Sequence, residues 1–501
     1  MSFRKILVAN RGEIAVRVVR ACRDMGIASV AVYSEADRRA LHVLEADEAH
    51  LLGPAPSAPS YLRIDRVLEA ARRSGAEAIH PGYGFLSENP AFAAACKEAG
   101  IVFIGPPPQA MEAVGDKVRA RDRMERAGIP VVPGTPPLTD DAEEAAREAK
   151  RIGYPVLLKA SAGGGGKGMR LVRDVKELRS LLAQARGEAL SSFGDDRVFL
   201  EKYVVRPRHI EVQVIADSHG ACVALGEREC SIQRRHQKLV EECPSPVVDP
   251  AARERLLGLA VSAMRAVGYV NAGTVEFLRA DDGTFYFMEV NARLQVEHPV
   301  TEEVFGLDLV RLQIEIAAGG RLPFTQEALT PRGHAIECRI VAEDPARGFL
   351  PSPGTIRRLR LPTGPGIRHD GGTYEGWTVP VHYDPMLAKL VAWGPTRQMA
   401  IERMARALHE YRVEGPATCI ELHRRVMAHP AFRRGELHTG FLEEHPDLLA
   451  PENDPHFERL AAIAAAVSHL ERRRPPAAAA GGGGEAGPSS WRRAARWGGL
   501  V

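Results

Sequence analysis

Ten residues at positions 288–297, MEVNARLQVE, alternate strictly between apolar and polar side chains. Alternate residues of a β-strand share one face, so the pattern predicts a strand with one apolar and one polar face. The polar face could hold a metal ion at one end and a small anion at the other. An ordinary solvated sheet face is the alternative. The polar residues are Glu289, Asn291, Arg293, Gln295 and Glu297.

A further carboxylate is expected opposite this segment. Glu276 lies in GTVEFL, a strand-like run that a short RADDGT turn separates from the run containing Glu289. In such a hairpin the two glutamates meet across the strands, and bare carboxylates would repel each other. A divalent cation such as Mg²⁺ prefers hard oxygen ligands and bridges carboxylates to nucleotide phosphates, so it accounts for the pair. A surface pair of glutamates is the alternative.

The segment KASAGGGGKGMR at residues 159–170 contains four consecutive glycines, Gly163 to Gly166. Strand-like runs, YPVLLKA and GMRLV, flank it and predict a hairpin tip. Glycine lacks Cβ, so backbone N–H groups can approach an anion closely, and Lys159 and Lys167 add cations. The spacing is not that of a P-loop, because Gly168 follows Lys167 where Ser or Thr would be required. The pattern predicts phosphate binding, with a mobile turn as the alternative.

Two further segments, RHIEVQV and CSIQRRHQKLVEE, contribute His209, Glu211, Gln233, His236 and Lys238. Two histidines without cysteine or further acidic spacing make a poor zinc site. We therefore interpret His236 and Lys238 as substrate contacts.

The regions that must position these residues differ in pattern. From RKILVAN to Pro106–Pro108, strands alternate with helices and predict a parallel α/β sheet. The first turn, ANRGEI, lacks G-x-G-x-x-G, so no dinucleotide site is indicated. From about residue 197, closely spaced strand patterns predict antiparallel pairing. Residues 454–474 could form an amphipathic helix, and a low-complexity Ala/Gly tract follows.

Composition excludes several classes of protein. The 501 residues carry 66 Lys and Arg against 64 Asp and Glu, so a net charge of +2 indicates neither nucleic-acid nor membrane-surface binding. No run reaches the ~18 apolar residues of a membrane span, and the N-terminal residues lack the pattern of a secretory signal. The seven cysteines form no C-x-x-C pair, so we expect reduced thiols in a cytoplasmic protein.

Eight motifs together resemble the biotin carboxylases, the ATP-grasp components of biotin-dependent carboxylases. In chain order they are ANRGEIAVRV, HPGYGFLSEN, GDK, KASAGGGGKGMR, SIQRRHQKLVEE, NARLQVEHPVTE, ECRIVAED and FLPSPGTI. The resemblance covers residue 4 to about 445 and implies an α/β and α+β multidomain fold. The implied parts are a Rossmann-like N-terminal α/β domain (1–115), an ATP-grasp domain (116–330) with a mobile lid (about 131–203), a C-terminal α+β domain (331–446) and a helical, low-complexity tail (447–501).

The resemblance also implies a reaction. ATP activates bicarbonate as carboxyphosphate, and the carboxyl group passes to N1′ of biotin, which a separate carrier protein holds covalently. Two Mg²⁺ or Mn²⁺ ions would accompany the nucleotide, bound by Glu276 and Glu289 with Asn291 beside them. The nucleotide would contact Lys117, Lys159, Gly164, Gly165, Gly166, Glu201, Lys202, Val204, His209, Gln233, His236, Glu276 and Glu289.

Four residues would be catalytic by the same resemblance. Glu297 would be the general base, Arg339 would stabilise the biotin enolate, and Lys238 and Arg293 would hold bicarbonate. Cations that bind an anion and a carboxylate that takes its proton suit this chemistry. Lid closure would protect carboxyphosphate from water. The bicarbonate and biotin site would consist of Lys238, Arg293, Gln295, the Val296 backbone, Glu297, Arg339 and Tyr83.

The sequence contains no A/V-M-K-M biotinylation motif and no carboxyltransferase region. We therefore expect a biotin carboxyl carrier protein and carboxyltransferase subunits that work in trans, and the family implies a homodimer. The simplest holoenzyme is acetyl-CoA carboxylase of fatty acid biosynthesis, in which the transferase chooses the acyl-CoA. The alternatives are another ATP-grasp ligase with a different acceptor and a nucleotide-binding subunit without turnover.

Overall fold

The computed structural model describes residues 3–139, 141–161, 169–450 and 455–473. Residues up to Ala450 pack together as one unit, and the residues from Pro451 onward form a second unit, which is described separately below. Within the described ranges, no helix is long and apolar enough to cross a membrane.

A parallel sheet of five strands lies near the N-terminus, as the alternating pattern predicts. Its strands are β1 (Lys5–Val8), β2 (Ala28–Ser34), β3 (Glu48–Gly53), β4 (Ala78–His80) and β5 (Val102–Phe103), in the order β3-β2-β1-β4-β5. The apolar stripe of the first helix, including Ile14 and Val18, is buried with Ile6 and Val8 of β1. The accompanying helices are α1 (Gly12–Asp24), α2 (Leu41–Glu45), α3 (Ile64–Ser74), α4 (Pro90–Glu98) and α5 (Pro108–Gly115).

A smaller antiparallel sheet follows. Its region comprises α6 (Lys117–Arg126), α7 (Ala142–Ile152), β6 (Val156–Ala160), β7 (Arg170–Val172), α8 (Val175–Phe193) and β8 (Val198–Lys202), with β6 between β7 and β8. Val156 pairs with Val172 and Leu158 with Arg170, so the strands on both sides of the predicted hairpin tip are confirmed. Gly163–Gly166 and Lys167 themselves lie outside the described residues.

The main sheet has eight antiparallel strands, which confirms the antiparallel pairing predicted from about residue 197. They are β9 (Arg208–Ala216), β10 (Cys222–Arg234), β11 (Gln237–Cys243), β12 (Asn271–Arg279), β13 (Phe285–Asn291), β14 (His334–Val341), β19 (Ile367–Gly371) and β21 (Met386–Gly394). Their order is β13-β12-β9-β10-β11-β14-β21-β19. One continuous sheet therefore joins strands from the predicted ATP-grasp and C-terminal regions.

The predicted strand at residues 288–297 is wrong in its second half. Strand β13 ends at Asn291, where the Ala292 N–H donates to Glu88 Oε1 at 2.9 Å instead of to a neighbouring strand. The chain then bends, and a helix begins at His298, with Pro299, which lacks a backbone N–H, in its first turn. Glu297 stands at the N-cap of that helix. The helices packed near this sheet are α9 (Pro250–Ala266), α10 (His298–Phe305) and α11 (Leu309–Ala317).

The C-terminal part of the first unit covers β14 and β21 with helices. Its core buries Ile336 and Leu390 of the sheet against Met404 and Val426 of the helices. Its helices are α12 (Arg397–Glu410), α13 (Ile420–Ala428), α14 (Pro430–Arg434) and α15 (Phe441–Glu444). Its short strands are β15 (Glu343–Asp344), β16 (Leu350–Pro351), β17 (Gly354–Thr355), β18 (Arg358–Arg360), β20 (Thr378–Val379) and β22 (Arg412–Glu414).

The second unit contains the helix predicted in the tail, α16 (Pro455–Arg473). Leu460, Ile463 and Val467 lie three and four residues apart, as on one face of an amphipathic helix, and all are exposed. The low-complexity tract beyond Arg473 lies outside the described residues.

Candidate active site

A cleft of about 1070 Å³ opens on the polar side chains of the main sheet. Its walls come from the N-terminal sheet, the small sheet, the main sheet and the loop before β21. Most residues that the sequence singles out line it: Tyr83, Lys159, Glu201, Lys202, Val204, His209, Gln233, His236, Lys238, Glu276, Glu289, Asn291, Arg293, Gln295, Val296 and Arg339.

Lys238 of β11 lies at the centre of a buried charge cluster. Its Nζ donates to Glu211 Oε2 at 2.5 Å, to Glu297 Oε1 at 2.6 Å and to Glu276 Oε1 at 2.9 Å. Burial alone would lower the pKa of this ammonium, but the three carboxylates outweigh burial and raise the pKa well above its usual range. Lys238 is therefore protonated and positively charged at neutral pH in this cluster.

Glu297 is fully buried behind the cleft wall, held between two cations. Oε1 accepts from Lys238 at 2.6 Å, and Oε2 accepts from Nη2 of Arg339 at 2.9 Å. Burial would raise the pKa of this carboxyl, but Lys238, Arg339 and the more distant Arg228 hold it well below its usual range. Glu297 is thus ionised, and Lys238 and Arg339 stabilise its negative charge.

Arg339 of β14 bridges two carboxylates. Nε donates to Glu241 Oε1 at 2.6 Å, while Nη2 donates to Glu297. The pKa of Glu241 is raised to about 7, because burial outweighs the attraction of Arg339. The guanidinium is therefore fixed in direction, with its Nη2 end toward Glu297.

Arg293 forms a second cationic wall of the cleft. Nε donates to Glu88 Oε2 at 2.9 Å, Nη1 to Gln295 Oε1 at 2.8 Å and Nη2 to Asn291 Oδ1 at 2.9 Å. The bend after β13 makes this possible, because it turns Arg293 and Gln295 back toward the sheet. The predicted polar face of a straight strand is thus replaced by a folded loop that brings the same side chains together.

The predicted pairing of Glu276 with Glu289 is found in the register of β12 and β13, and Glu276 also pairs with Glu211 of β9. Glu276 is buried, which rules out a mere surface pair. Burial would raise the pKa of Glu276, but Lys238 and His209 lower it well below the usual range. The carboxylates of Glu276 and Glu289 and the amide oxygen of Asn291 are hard oxygen donors, so this corner fits a divalent cation such as Mg²⁺.

The end of the cleft toward the small sheet contains the predicted nucleotide contacts. Lys159 forms an ion pair with Glu201, and Lys202 donates to the carbonyl oxygens of Gly153 and Tyr154 at 2.6 and 3.1 Å. Lys202 is thus tied to backbone next to β6. Gln233 lies 2.9 Å from His209 Nδ1, and His209 Nε2 lies 3.2 Å from Glu276 Oε2.

His236 belongs to the tight turn between β10 and β11. Arg235 and His236 have φ angles of 48° and 66°, in the left-handed region that few non-glycine residues adopt. This turn directs both residues to the cleft. Three predicted site residues, Gly164, Gly165 and Gly166, lie outside the described residues. A fourth, Lys117, is described only by its backbone, as the first residue of α6.

Several residues of the cluster have no assigned role in the sequence interpretation. Arg228 is fully buried and joins Glu211 (2.5 Å) to Gln213, Thr274 and Thr301. Glu88 lies within the HPGYGFLSEN motif, whereas the strand that contains Arg228 has no sequence pattern that would single this residue out.

Lys389, fully buried on β21, donates to the Val296 carbonyl at 3.1 Å and lies 3.2 Å from Glu13. Only the packed sheet reveals these partners.

Family models match three consecutive parts of the chain. They are described as "Biotin carboxylase, N-terminal domain" for residues 2–111, "Carbamoyl-phosphate synthase L chain, ATP binding domain" for residues 116–325 and "Biotin carboxylase C-terminal domain" for residues 337–444. The order of these matches corresponds to the three-domain architecture implied by the motifs.

Known proteins resemble the chain over nearly all of this region. A pyruvate carboxylase subunit of Methanothermobacter thermautotrophicus is 56% identical over 88% of this chain and 90% of its own length. A biotin carboxylase of Halalkalibacterium halodurans is 55% identical over 88% of this chain and 98% of its own. The solved biotin carboxylase domain dimer of Hydrogenobacter thermophilus 2-oxoglutarate carboxylase, in complex with MgADP, ADP and bicarbonate, is 49% identical, with a TM-score of 0.87 over 90% of this chain and 100% of that one. The chain therefore belongs to the biotin carboxylase family.

Proposed function

We propose that this chain carboxylates N1′ of biotin on a separate carrier protein, using ATP and bicarbonate through carboxyphosphate. The observation that carries the proposal is the ionised Glu297, buried between Lys238 and Arg339 beside the Arg293 wall of the cleft. A carboxylate next to three cations can bind an anionic substrate and take its proton in one place.

The nucleotide would bind between the small sheet and the main sheet. Lys159 would leave Glu201 for the phosphates, and His209, Gln233 and His236 would line the pocket for the base and ribose. A divalent cation held by Glu276, Glu289 and Asn291 would neutralise phosphate charge. Lys117 and the glycine segment would complete the phosphate contacts.

Bicarbonate would bind to Lys238, Arg293 and Gln295, next to the Val296 backbone. The low pKa of Glu297 makes it a weak base, because Lys238 and Arg339 stabilise its negative charge. An incoming anion would share these cations, so their hold on Glu297 weakens and the pKa of the carboxyl rises. Substrate binding would thus make Glu297 a stronger base at the moment a proton must be taken.

The enolate of biotin would form next to Arg339. Its guanidinium is preorganised by Glu241 and Glu297, so it can stabilise negative charge on the ureido oxygen without reorienting. Tyr83 lines the same cleft and lies on the side of Lys389, whose Nζ is 5.8 Å from the centre of the tyrosine ring. Biotin would therefore enter between the N-terminal sheet and β14.

The carrier and the carboxyltransferase would be separate chains, and a homodimer is proposed from the dimer found for the Hydrogenobacter thermophilus domain. Acetyl-CoA is the acceptor that we propose for the assembled enzyme. Two of the relatives described above are named for different acceptors, pyruvate and 2-oxoglutarate, which supports a choice of acceptor made outside this chain, by the proposed transferase. Turnover of each acceptor by the chain reconstituted with its own carrier and transferase would identify it.

The decisive experiment measures ADP release by the purified chain with Mg²⁺ and bicarbonate, with and without free biotin. We expect biotin to stimulate ADP release in the wild type and the stimulation to disappear in Glu297→Ala. If biotin does not change ADP release but an added amine or carboxylate stimulates it, the chain is instead an ATP-grasp ligase with another acceptor. Absence of ATP turnover under all these conditions would indicate a nucleotide-binding subunit.

A further inference from the structure

A cysteine and a histidine lie directly behind Arg339, on the side away from the cleft. The Arg339 carbonyl oxygen accepts from Cys419 Sγ at 3.0 Å and from His423 Nε2 at 2.7 Å, and the two donors are 3.2 Å apart. Both side chains are fully buried. The oxygen that they hold belongs to the residue whose guanidinium faces Glu297.

The ladder between β14 and β21 is irregular close to Arg339. Ile340 pairs with Ala388 but Val341 pairs with Met386, so Leu387 of β21 has no residue opposite it. Such bulges commonly lie next to active sites, where they change the direction of a side chain, but they also interrupt the regular ladder that keeps a strand rigid. On the other side of β14 the pairing with β11 ends at Cys338, so Arg339 lies one residue beyond the last β11 pair, and Cys419 and His423 supply hydrogen bonds from outside the sheet.

Helix α13 supplies that support from its first turn. Cys419 is the N-cap residue, and its N–H donates to the Val341 carbonyl at 3.2 Å, while the Val341 N–H donates to Cys419 Sγ at 3.2 Å. His423 follows one turn later on the same face. Four hydrogen bonds thus attach one end of a helix to the irregular segment 339–341.

The protonation of His423 suits this role. Burial lowers its pKa to about 4, so the imidazole is neutral at physiological pH and carries a single N–H. Because Nε2 lies 2.7 Å from a carbonyl oxygen, that proton must be on Nε2, where it donates to Arg339. The pair therefore presents two donors to one acceptor without a buried charge.

We propose that Cys419 and His423 are positioning residues that hold the Arg339 backbone, so that its guanidinium stays between Glu241 and Glu297. The inference rests on the proposed role of Arg339 in biotin carboxylation. Misplacement of a catalytic group by about 1 Å can cost up to about 100-fold in rate, so loss of one of two donors is expected to cost about tenfold.

Two pairs of variants test the donors. Cys419→Ala and His423→Leu remove a donor, whereas Cys419→Ser and His423→Gln retain one at nearly the same place. We expect the first pair to lower the biotin-dependent kcat about tenfold with the KM for ATP unchanged, and the second pair to stay within about twofold of wild type. Cys96→Ala, which removes the same atom from a buried position in α4, is the control for simple loss of packing.

Crystal structures of the wild type and Cys419→Ala give a readout that needs no turnover. The proposal requires Arg339 to leave its positions 2.6 Å from Glu241 and 2.9 Å from Glu297 in the variant. An unmoved guanidinium, unchanged biotin-dependent rates in folded Cys419→Ala and His423→Leu, or equal losses in the Ser and Gln variants would overturn it. Failure of the proposed function would appear separately, as absence of biotin-dependent ADP release in the wild type.

Discussion

The Lys238 ammonium lies 2.6 Å from the Glu297 carboxylate, and both groups are buried. The same ammonium forms ion pairs with Glu211 and Glu276. Glu276 also belongs to the predicted metal site with Glu289 and Asn291. One cation therefore links the group proposed to take a proton with the groups proposed to bind the metal. Binding of a metal ion at Glu276 should therefore change the pKa of Glu297, and binding of an anion beside Glu297 should change the affinity for the metal, because both carboxylates contact Lys238.

Replacement of Lys238 tests this link. Lys238→Met leaves three buried carboxylates without their common cation, and breaking a buried ion pair costs about 3–5 kcal/mol. We expect a clear fall in melting temperature together with loss of bicarbonate-dependent ADP release. Lys97→Met, at an exposed position of α4, is the control and should change neither quantity. A fully stable Lys238→Met protein would contradict the central role of the ammonium.

The metal corner is best tested at Glu289, because Glu276 also holds Lys238. Glu289→Gln keeps the shape but removes one negative charge, so the Mg²⁺ concentration needed for half-maximal ADP release should rise by about tenfold. Titration of activity with Mg²⁺ measures this shift. The exposed Glu69→Gln substitution in α3 serves as the matched control. An unchanged Mg²⁺ requirement in Glu289→Gln would remove this residue from the metal site.

Arg339 is expected to tolerate no conservative exchange. Arg339→Lys retains the charge but cannot contact Glu241 and Glu297 simultaneously in the same geometry. We expect the biotin-dependent rate to fall by about 10²- to 10³-fold, the usual effect of losing an oxyanion stabiliser. The rate is measured as biotin-dependent ADP release, and Arg358→Lys on the exposed β18 is the control. A loss of similar size in biotin-independent turnover would place Arg339 at an earlier step.

A pH effect on stability is expected from Glu242. This carboxylate accepts from Arg397 at 2.6 and 3.0 Å and lies 2.6 Å from His334 Nε2. Burial would raise its pKa, but these partners lower it to about 2, from an ordinary value of 4.5. A lowered pKa stabilises the folded state above pH 4.5, and this contribution is lost as the pH falls toward 2.

The variant Glu242→Gln should therefore melt at a lower temperature than the wild type at pH 7. The difference corresponds to about 3 kcal/mol of unfolding free energy. It should shrink as the pH is lowered from 4.5 toward 2, because the carboxyl group of the unfolded chain takes up a proton in this range while the folded carboxylate stays ionised until about pH 2. Melting curves of both proteins across this range measure the effect. A difference that stays constant down to about pH 3 would show that packing, not charge, is responsible.

Much of the fold follows from local patterns. The alternation of apolar runs and helical periodicity in the first hundred residues indicates a parallel sheet, because crossover helices must cover both faces of such a sheet. The spacing of Glu276 and Glu289 around a short turn likewise indicates a hairpin. Their direct pairing also needs a register shift between Phe277 and Glu276, which the turn does not specify. The motifs also identify the family, since short ordered segments preserve the residue types that chemistry requires.

Tertiary structure alone decides how these residues meet. The odd-numbered side chains from Arg293 to Glu297 do not share a strand face, because the Ala292 N–H donates to Glu88 and a helix begins at His298. The partners of the cluster, such as Arg228 and Glu241, come from strands far apart in the chain. Local periodicity specifies which face a side chain occupies, but long-range strand register specifies which charges are buried together. Burial with those partners, in turn, sets the pKa of Glu297.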